Sequence, residues 1–350
     1  MALRLPRWFQ RSQYRDPLPS PTVSGDDGPR TLDPYRDAPT VAEGYRSRFG
    51  GLWTDLPNAV DLAKSKFADG ALTELDLENV LFWIEKGYVI LPGAVSLEEV
   101  GRLREELETI WTEGHDEAWV SSLDDGVGEV RRLRPRDRER LGEQVKLLDI
   151  YSYSENARRV MFASPIQRFL EVVFERPPLA HQSLCFYRGS RQPMHQDTVF
   201  VRMSSPMELT ASWIALEDIQ PGSGELEYFE GSHRFEEFLF EGKSKWVPPT
   251  GVGLPEFYGH LEAQARDRGL EPVRFLPKTG DALIWSADLV HGGSPYDDPE
   301  KTRRSLVTHY CPVDVYPMYR HFYPHTDSIQ WKGKSSYYCH TKKQKWRAGS

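Results

Sequence analysis

Ser183-Leu184-Cys185-Phe186-Tyr187, then the turn Gly189-Ser190-Arg191-Gln192-Pro193, then Met194-His195-Gln196-Asp197 form the stretch on which both fold and chemistry turn. A short apolar and aromatic run, a Gly/Pro turn and a further run is the texture of antiparallel β structure. The same texture continues through Thr198–Met203, Leu209–Leu216, Leu226–Phe229, Val273–Leu276, Ala282–Trp285 and Ser305–Tyr310, with Gly222-Ser223-Gly224 as a hairpin turn. Several short strands separated by turn signals predict a sandwich or barrel over residues 178–312. Residues 235–270 interrupt it with a partly helical excursion long enough to act as a lid.

Toward the N-terminus the period changes. Leu77, Val80, Leu81 and Ile84 recur at helical spacing and Gly87-Tyr88-Val89-Ile90-Leu91-Pro92 reads as a short strand. Ser96-Leu97-Glu98-Glu99 is a capping-box pattern ahead of Val100, Leu103, Leu107, Ile110 and Trp111, which share one helical face. A further helical stretch spans Asn156 to Glu175, its first turn reset by Ser164-Pro165. Residues 75–175 are thus a helical preface. Residues 1–58 read as a flexible leader rich in Pro, Gly, Asp and Arg, opening with a basic arm, Met1 to Arg15, of the kind that can also graze a membrane surface or resemble a transit peptide. The aromatic and basic tail, 313–350, is expected to pack on the strands rather than fold alone. Residues 59–350 are therefore read as one domain: mainly β with flanking helices.

Composition narrows the function. A chain of 350 residues with 39% hydrophobic, 12% aromatic and 27% charged residues is not collagen-like, wholly disordered or disulfide-stapled. Its mean hydropathy is −0.58 and it has no apolar run of about 18 residues, so no membrane-spanning helix is expected. The net charge of −8 argues against a nucleic-acid partner. Three cysteines, Cys185, Cys311 and Cys339, are too few and scattered for a disulfide framework or a Cys-rich zinc site, and a cytoplasmic location is expected.

On an extended chain residues i and i+2 share a face, so His195 and Asp197 can reach one ion while Gln196 points away. Two similar tripeptides serve as controls. His260-Leu261-Glu262 lies in a helical stretch, where i and i+2 diverge. His325-Thr326-Asp327 has only His340 downstream, too close for strands to return a third ligand. His195 differs because Ala282-Leu283-Ile284-Trp285 leads to Asp288-Leu289-Val290-His291-Gly292, 96 residues on, room enough for a second histidine to come back beside the first. Two His and one Asp make a facial triad suited to non-haem Fe(II), with zinc the alternative by ligand type. Twelve residues after His291, Arg303-Arg304 opens the last strand, where an inward guanidinium would hold a carboxylate bidentately.

In this order, His195-Gln196-Asp197, the strand Ala211 to Asp218, the segment Gly224 to Arg234, His291-Gly292 and Arg303 resemble the phytanoyl-CoA dioxygenase family. The resemblance implies a double-stranded β-helix (a cupin-like jelly roll) and an enzyme that uses Fe(II), 2-oxoglutarate and O2. It implies that His195, Asp197 and His291 bind iron and that Arg303 pairs with the distal carboxylate of 2-oxoglutarate, Arg304 facing away. Trp213 and Lys146 match a tryptophan and a lysine near the cosubstrate. Where that family has a small hydroxyl residue two after the distal histidine, this chain has Gly293, followed by Ser294. A carboxylate at 197 implies hydroxylation rather than halogenation, with release of succinate and CO2. The expected substrate is a small molecule. Arg131 to Arg138 reads as a solvated loop or an anion-receiving one, and Tyr151, Tyr153, Trp246, Phe257 and Tyr258 as pocket or core aromatics. A jelly-roll ligand-binding module and a zinc hydrolase are the competing readings. Substrate, site of oxidation and oligomeric state are not written in the sequence.

Overall fold

In the computed structural model, residues 22–25, 28–31, 44–122, 129–134, 145–248, 250–298, 300–315, 317 and 328–339 are described. Strand β13 (Ser305–Pro312) is the spine of the main sheet. It runs antiparallel between β8 (Thr210–Ala215) and β7 (Pro178–Phe186). β11 (Ala282–Ser286) and β3 (Tyr88–Leu91) extend the β8 side, and β6 (Val145–Leu148), β4 (Trp119–Ser122) and β5 (Glu129–Arg132) extend the β7 side. A second, three-stranded antiparallel sheet has the order β10 (Val273–Phe275), β9 (Leu226–Tyr228), β12 (His291–Gly293). Beyond β12, His195 bridges His291. Among the described residues the architecture is sheet-rich with flanking helices, its two larger sheets unequal, and the strands do not close into a barrel.

Strand parity divides the side chains. Phe186, Ala211, Trp213, Ala215, Leu283, Trp285 and Val307 of the main sheet pack against Leu226, Tyr228 and Phe275 of the small one. Residues of opposite parity, among them Ile214, Ile284, Leu306 and Tyr310, join the helices in a larger cluster. Central strands covered on both faces are why these segments look almost continuously apolar. The helices are α1 (Ala59–Ala68), α2 (Glu74–Lys86), α3 (Leu97–Glu113), α4 (Glu155–Met161) and α5 (Ser164–Phe174). The stripe Val100, Leu103, Leu107, Ile110 and Trp111 of α3 is buried, and each such side chain contributes roughly 1.5–3 kcal/mol of transfer free energy. Ser96 caps α3 by accepting from the Glu99 amide, but the Glu99 carboxylate takes the Ser96 hydroxyl proton. The reciprocal capping box lies instead at Thr73 and Asp76.

Four further differences from expectation have physical causes. Within residues read as leader, Leu52 and Trp53 are buried in the main core and the Trp53 indole donates to the Val172 carbonyl at 3.0 Å. Earlier still, β1 (Thr22–Gly25) and β2 (Gly28–Thr31) pair with each other. In place of a strand after the histidine motif there is one helical turn, α6 (Asp197–Phe200). Last, the segment expected to be a lid carries α7 (Leu254–Asp267) and closes a cluster of its own, in which Phe235, Phe240, Val247, Phe257 and Leu261 pack on Val199 and Val290. Buried Lys245 pins that segment to Asp288 at 2.5 Å. It is a packed wall beside the histidines, so Phe257 and Trp246 are core aromatics, as is Tyr151 on the helical side. In the tail, β14 (Ser328–Lys332) and β15 (Ser335–Cys339) form a hairpin whose second strand runs parallel to β7. No helix among the described residues is long and apolar enough to cross a membrane.

Candidate metal and cosubstrate site

The site is built where the small sheet ends. His195 and His291 exchange both backbone hydrogen bonds, 2.8 and 3.0 Å, which sets their rings side by side with centroids 4.4 Å apart. The glycine after His291 makes that approach possible: a Cβ on Gly292 would lie 2.8 Å from the Gln192 carbonyl oxygen and 3.0 Å from the Met194 nitrogen. Gln196 is extended (φ −111°, ψ 135°), so the i, i+2 relation holds across it. Its own amide turns away to donate to the Asp288 carbonyl at 2.8 Å. The chain then coils into α6, which seats Asp197 against both histidines.

One donor atom from each of His195, Asp197 and His291 lies within 4.8 Å of the others, and all three residues are buried. Asp197 Oδ1 is 3.6 Å from His195 Nε2 and 3.7 Å from His291 Nε2. Each histidine holds a carbonyl through Nδ1 at 2.9 Å, that of Pro193 or Leu289. A carbonyl only accepts, so Nδ1 carries the proton and Nε2 presents its lone pair to the shared space. Gln192 donates to His195 Nε2 at 3.0 Å, a bond that a metal on that atom would replace. Burial pushes His291 down to about 4, against the pull of Asp197. Burial alone would raise Asp197, but the charge interactions with His291 and His309 outweigh it and hold its carboxyl well below the usual range. Neutral imidazoles beside an ionised carboxylate are the ligand state a divalent metal requires. The donor set therefore fits such an ion.

Two partners of Asp197 had no obvious sequence signal. Its Oδ2 accepts the Trp285 indole proton at 2.8 Å and lies 3.4 Å from His309 Nε2. Trp285 reads in sequence as the end of an apolar strand. His309 could have been found by parity, since it lies an even number of residues after Arg303, which leads into the strand β13 that carries it. Behind it, a register shift at His309/Tyr310 turns His181 inward, with the two rings stacked 6.1 Å apart.

Two of the three cosubstrate candidates, Arg303 and Lys146, stand on one ring, and Arg303 also lies over the third, Trp213. Arg303 is 2% exposed, with its guanidinium carbon 5.2 Å from the Phe186 ring centre and 5.5 Å from that of Trp213. Lys146 Nζ stands 5.7 Å over the same Phe186 ring. Among the described residues no carboxylate lies within ion-pair distance of Arg303, and its Nε, like the Trp213 indole nitrogen, has no hydrogen-bond partner. Burial pushes Arg303 down to about 10 and Lys146 to about 8. Tyr296 and the buried Glu225 lie near enough to act on the Arg303 charge without contacting it, and a buried cation with no carboxylate in ion-pair contact is costly, so the pocket favours an anion. Arg304 faces outward, bonded to Glu108 and to the Tyr187 hydroxyl. Ser294 does not line the pocket; its hydroxyl donates to buried Glu225 at 2.9 Å.

The control histidine His260 bonds the Glu236 carbonyl, away from the triad, and Glu262 is exposed on α7. His325, Asp327 and His340 lie outside the described residues. Of the arginine cluster, Arg131 and Arg132 end β5, Arg132 stacking over Trp119, residues 133 and 134 follow the strand, and 135–138 lie outside the described residues.

A jelly-roll-type pair of sheets with two histidines and a carboxylate converging at one end defines the cupin-like oxygenase architecture. A model of the phytanoyl-CoA dioxygenase (PhyH) family matches residues 83–304, and the chain belongs to that family of Fe- and 2-oxoglutarate-dependent oxygenases. The peroxisomal phytanoyl-CoA dioxygenase of Rattus norvegicus is 23% identical over 252 residues, 69% of each chain. Among solved structures, the epimerase SnoN in complex with Fe3+, alpha ketoglutarate and nogalamycin RO aligns with TM-score 0.53 at 17% identity, covering 76% of this chain and 98% of that one. The alpha ketoglutarate dependent carbocyclase SnoK aligns with TM-score 0.51 at 18% identity, covering 73% and 92%. At these identities the structural likeness is one of fold.

Proposed function

We propose that the protein is a hydroxylase-type oxygenase in which His195, Asp197 and His291 hold Fe(II), and Arg303, Trp213 and Lys146 hold 2-oxoglutarate. Its substrate on this reading is a small molecule oxidised at an unactivated carbon. The observation that carries it is the buried Arg303 guanidinium, with no carboxylate in ion-pair contact among the described residues, standing on Phe186 and Trp213 of the same inter-sheet cluster as Trp285, the indole partner of Asp197. A zinc hydrolase or a ligand-binding module gives that charge no role.

When bound, Fe(II) with 2-oxoglutarate and O2 supplies the oxidant, and 2-oxoglutarate is consumed to succinate and CO2. The chain supplies geometry. His195 and His291 present Nε2, their Nδ1 protons fixed on carbonyls. Trp285 holds Asp197 Oδ2 and so leaves Oδ1 toward the histidines. The packed 235–270 wall shields the chamber from water. Arg303 fixes the distal carboxylate and thereby the keto acid's approach.

SnoN and SnoK carry out epimerisation and carbocycle formation, so fold does not choose the outcome. The hydroxylase reading rests on the carboxylate at 197. Its test is a substrate screen scored by Fe(II)-dependent succinate release, followed by turnover under 18O2. One labelled oxygen in the product supports hydroxylation; a coupled product without label rejects it.

Two expected results follow from the geometry. Trp285→Phe keeps an aromatic ring but removes the indole N–H that donates to Asp197, and iron affinity is expected to fall roughly 10–100-fold, as for other outer partners of metal ligands. Titration of metal-free protein with Fe(II) checks it. Lys146 is charged below about 8 and neutral above. Affinity for the dianion is therefore expected to weaken roughly tenfold as pH rises from about 7 to 9, and Lys146→Met to flatten that dependence in binding measured across the range.

A further inference from the structure

We propose that Asp288 is a positioning residue for the metal site, through which the packed 235–270 wall fixes where Asp197 points; this rests on the metal site proposed above. Asp288 is not one of the three ligands but stands where the two ligand-bearing segments meet, three residues before His291. Its Oδ1 accepts the Thr198 hydroxyl at 2.5 Å, and its carbonyl accepts the Gln196 side-chain amide at 2.8 Å. Gln196 and Thr198 are the residues on either side of Asp197. The Thr198 amide also reaches the Ala287 carbonyl at 3.4 Å. The helical turn that presents Asp197 is therefore tied, before and after the ligand, to the segment that carries His291.

The second carboxylate oxygen of Asp288 takes the Lys245 ammonium of the wall at 2.5 Å. Lys245 is itself buried, with Glu237 at 3.7 Å as its other anion, and Glu237 accepts the Ser47 hydroxyl at 2.5 Å. The network thus runs from a residue that precedes the family match, through the wall, to the turn of Asp197. Holding the wall in place does not require it, because Phe240, Val247, Phe257 and Leu261 already pack on Val199 and Val290. A buried ion pair adds little stability over apolar side chains of similar volume, but it is directional and can select one arrangement. Asp197 needs one arrangement, since its carboxylate has to face both histidines.

The experiment is titration of the metal-free protein with Co(II), a spectroscopic stand-in for Fe(II), followed by its visible ligand-field bands. Thr198→Val keeps the size of the side chain and cuts the link between Asp288 and the Asp197 turn, while Thr198→Ser keeps the hydroxyl. Lys245→Met cuts the link to the wall. Leu261→Ala loosens the wall and leaves both links in place. Thr198→Val and Lys245→Met are expected to bind Co(II) about tenfold more weakly and with shifted bands, and Thr198→Ser to match wild type. Leu261→Ala is expected to lower the melting temperature with affinity and bands unchanged. Wild-type affinity and bands in Thr198→Val overturn the assignment, as does an equal loss of affinity in Leu261→Ala, which makes the effect one of packing. Should Lys245→Met fail to fold, the Thr198 pair decides. Wild-type protein that takes up no Co(II) overturns the metal site itself and this assignment with it.

Discussion

Asp197→Ala is expected to lose Fe(II)-dependent turnover of 2-oxoglutarate completely and to bind Fe(II) far more weakly than wild type. The carboxylate is the one anionic member of the cluster and the atom that faces both histidines. Its removal leaves two neutral imidazoles and an indole proton without an acceptor. The fall in iron affinity should exceed the roughly 10–100-fold typical of losing an outer partner. Folding should survive, because the change also removes a buried charge, and circular dichroism on the metal-free protein checks that. Iron content after anaerobic loading, with succinate as the product readout, measures the effect.

Arg303→Met is expected to be nearly as damaging, by a different route. Methionine keeps apolar contact with Phe186 and Trp213 while deleting the charge. Removing one member of a buried, hydrogen-bonded charge pair costs about 2–5 kcal/mol, which is roughly 30-fold or more in affinity. Iron binding should be unaffected, and the free protein should be no less stable, since a buried guanidinium with no carboxylate in ion-pair contact among the described residues has been replaced by a side chain that burial favours. Titration with 2-oxoglutarate separates the two variants: Asp197→Ala fails at the metal, Arg303→Met at the keto acid.

What could be read in the sequence and what could not follows strand physics. The strands were legible because segments such as Ala282–Ser286 and Ser305–Pro312 are buried on both faces, and turns separate them. Parity told Arg303 from Arg304 before any coordinates, and the structure turns one inward and the other to Glu108. The return of His291 to His195 needed only chain length in principle; the backbone bridge and the bare Gly292 that permit it are tertiary facts.

Residues 198–200 misled because Thr, Val and Phe favour strands. Here the Thr198 hydroxyl bonds the Asp288 carboxylate at 2.5 Å and the Val201 amide returns to the Asp197 carbonyl at 2.7 Å, so contacts override propensity. The 235–270 segment misled for the converse reason. Its apolar residues look like an excursion until Val199 and Val290 complete their cluster. Trp285 and His309 were hidden because one strand residue among many aromatic ones carries no local mark of touching a carboxylate.

The central claim is that one chamber holds both Fe(II) and 2-oxoglutarate. Its most direct measurement is the visible spectrum of the wild-type protein after anaerobic addition of Fe(II) and then 2-oxoglutarate. A charge-transfer band that requires both additions, and that Arg303→Met shifts to higher 2-oxoglutarate concentration, is the predicted result; no band at saturating concentrations of both would contradict the account.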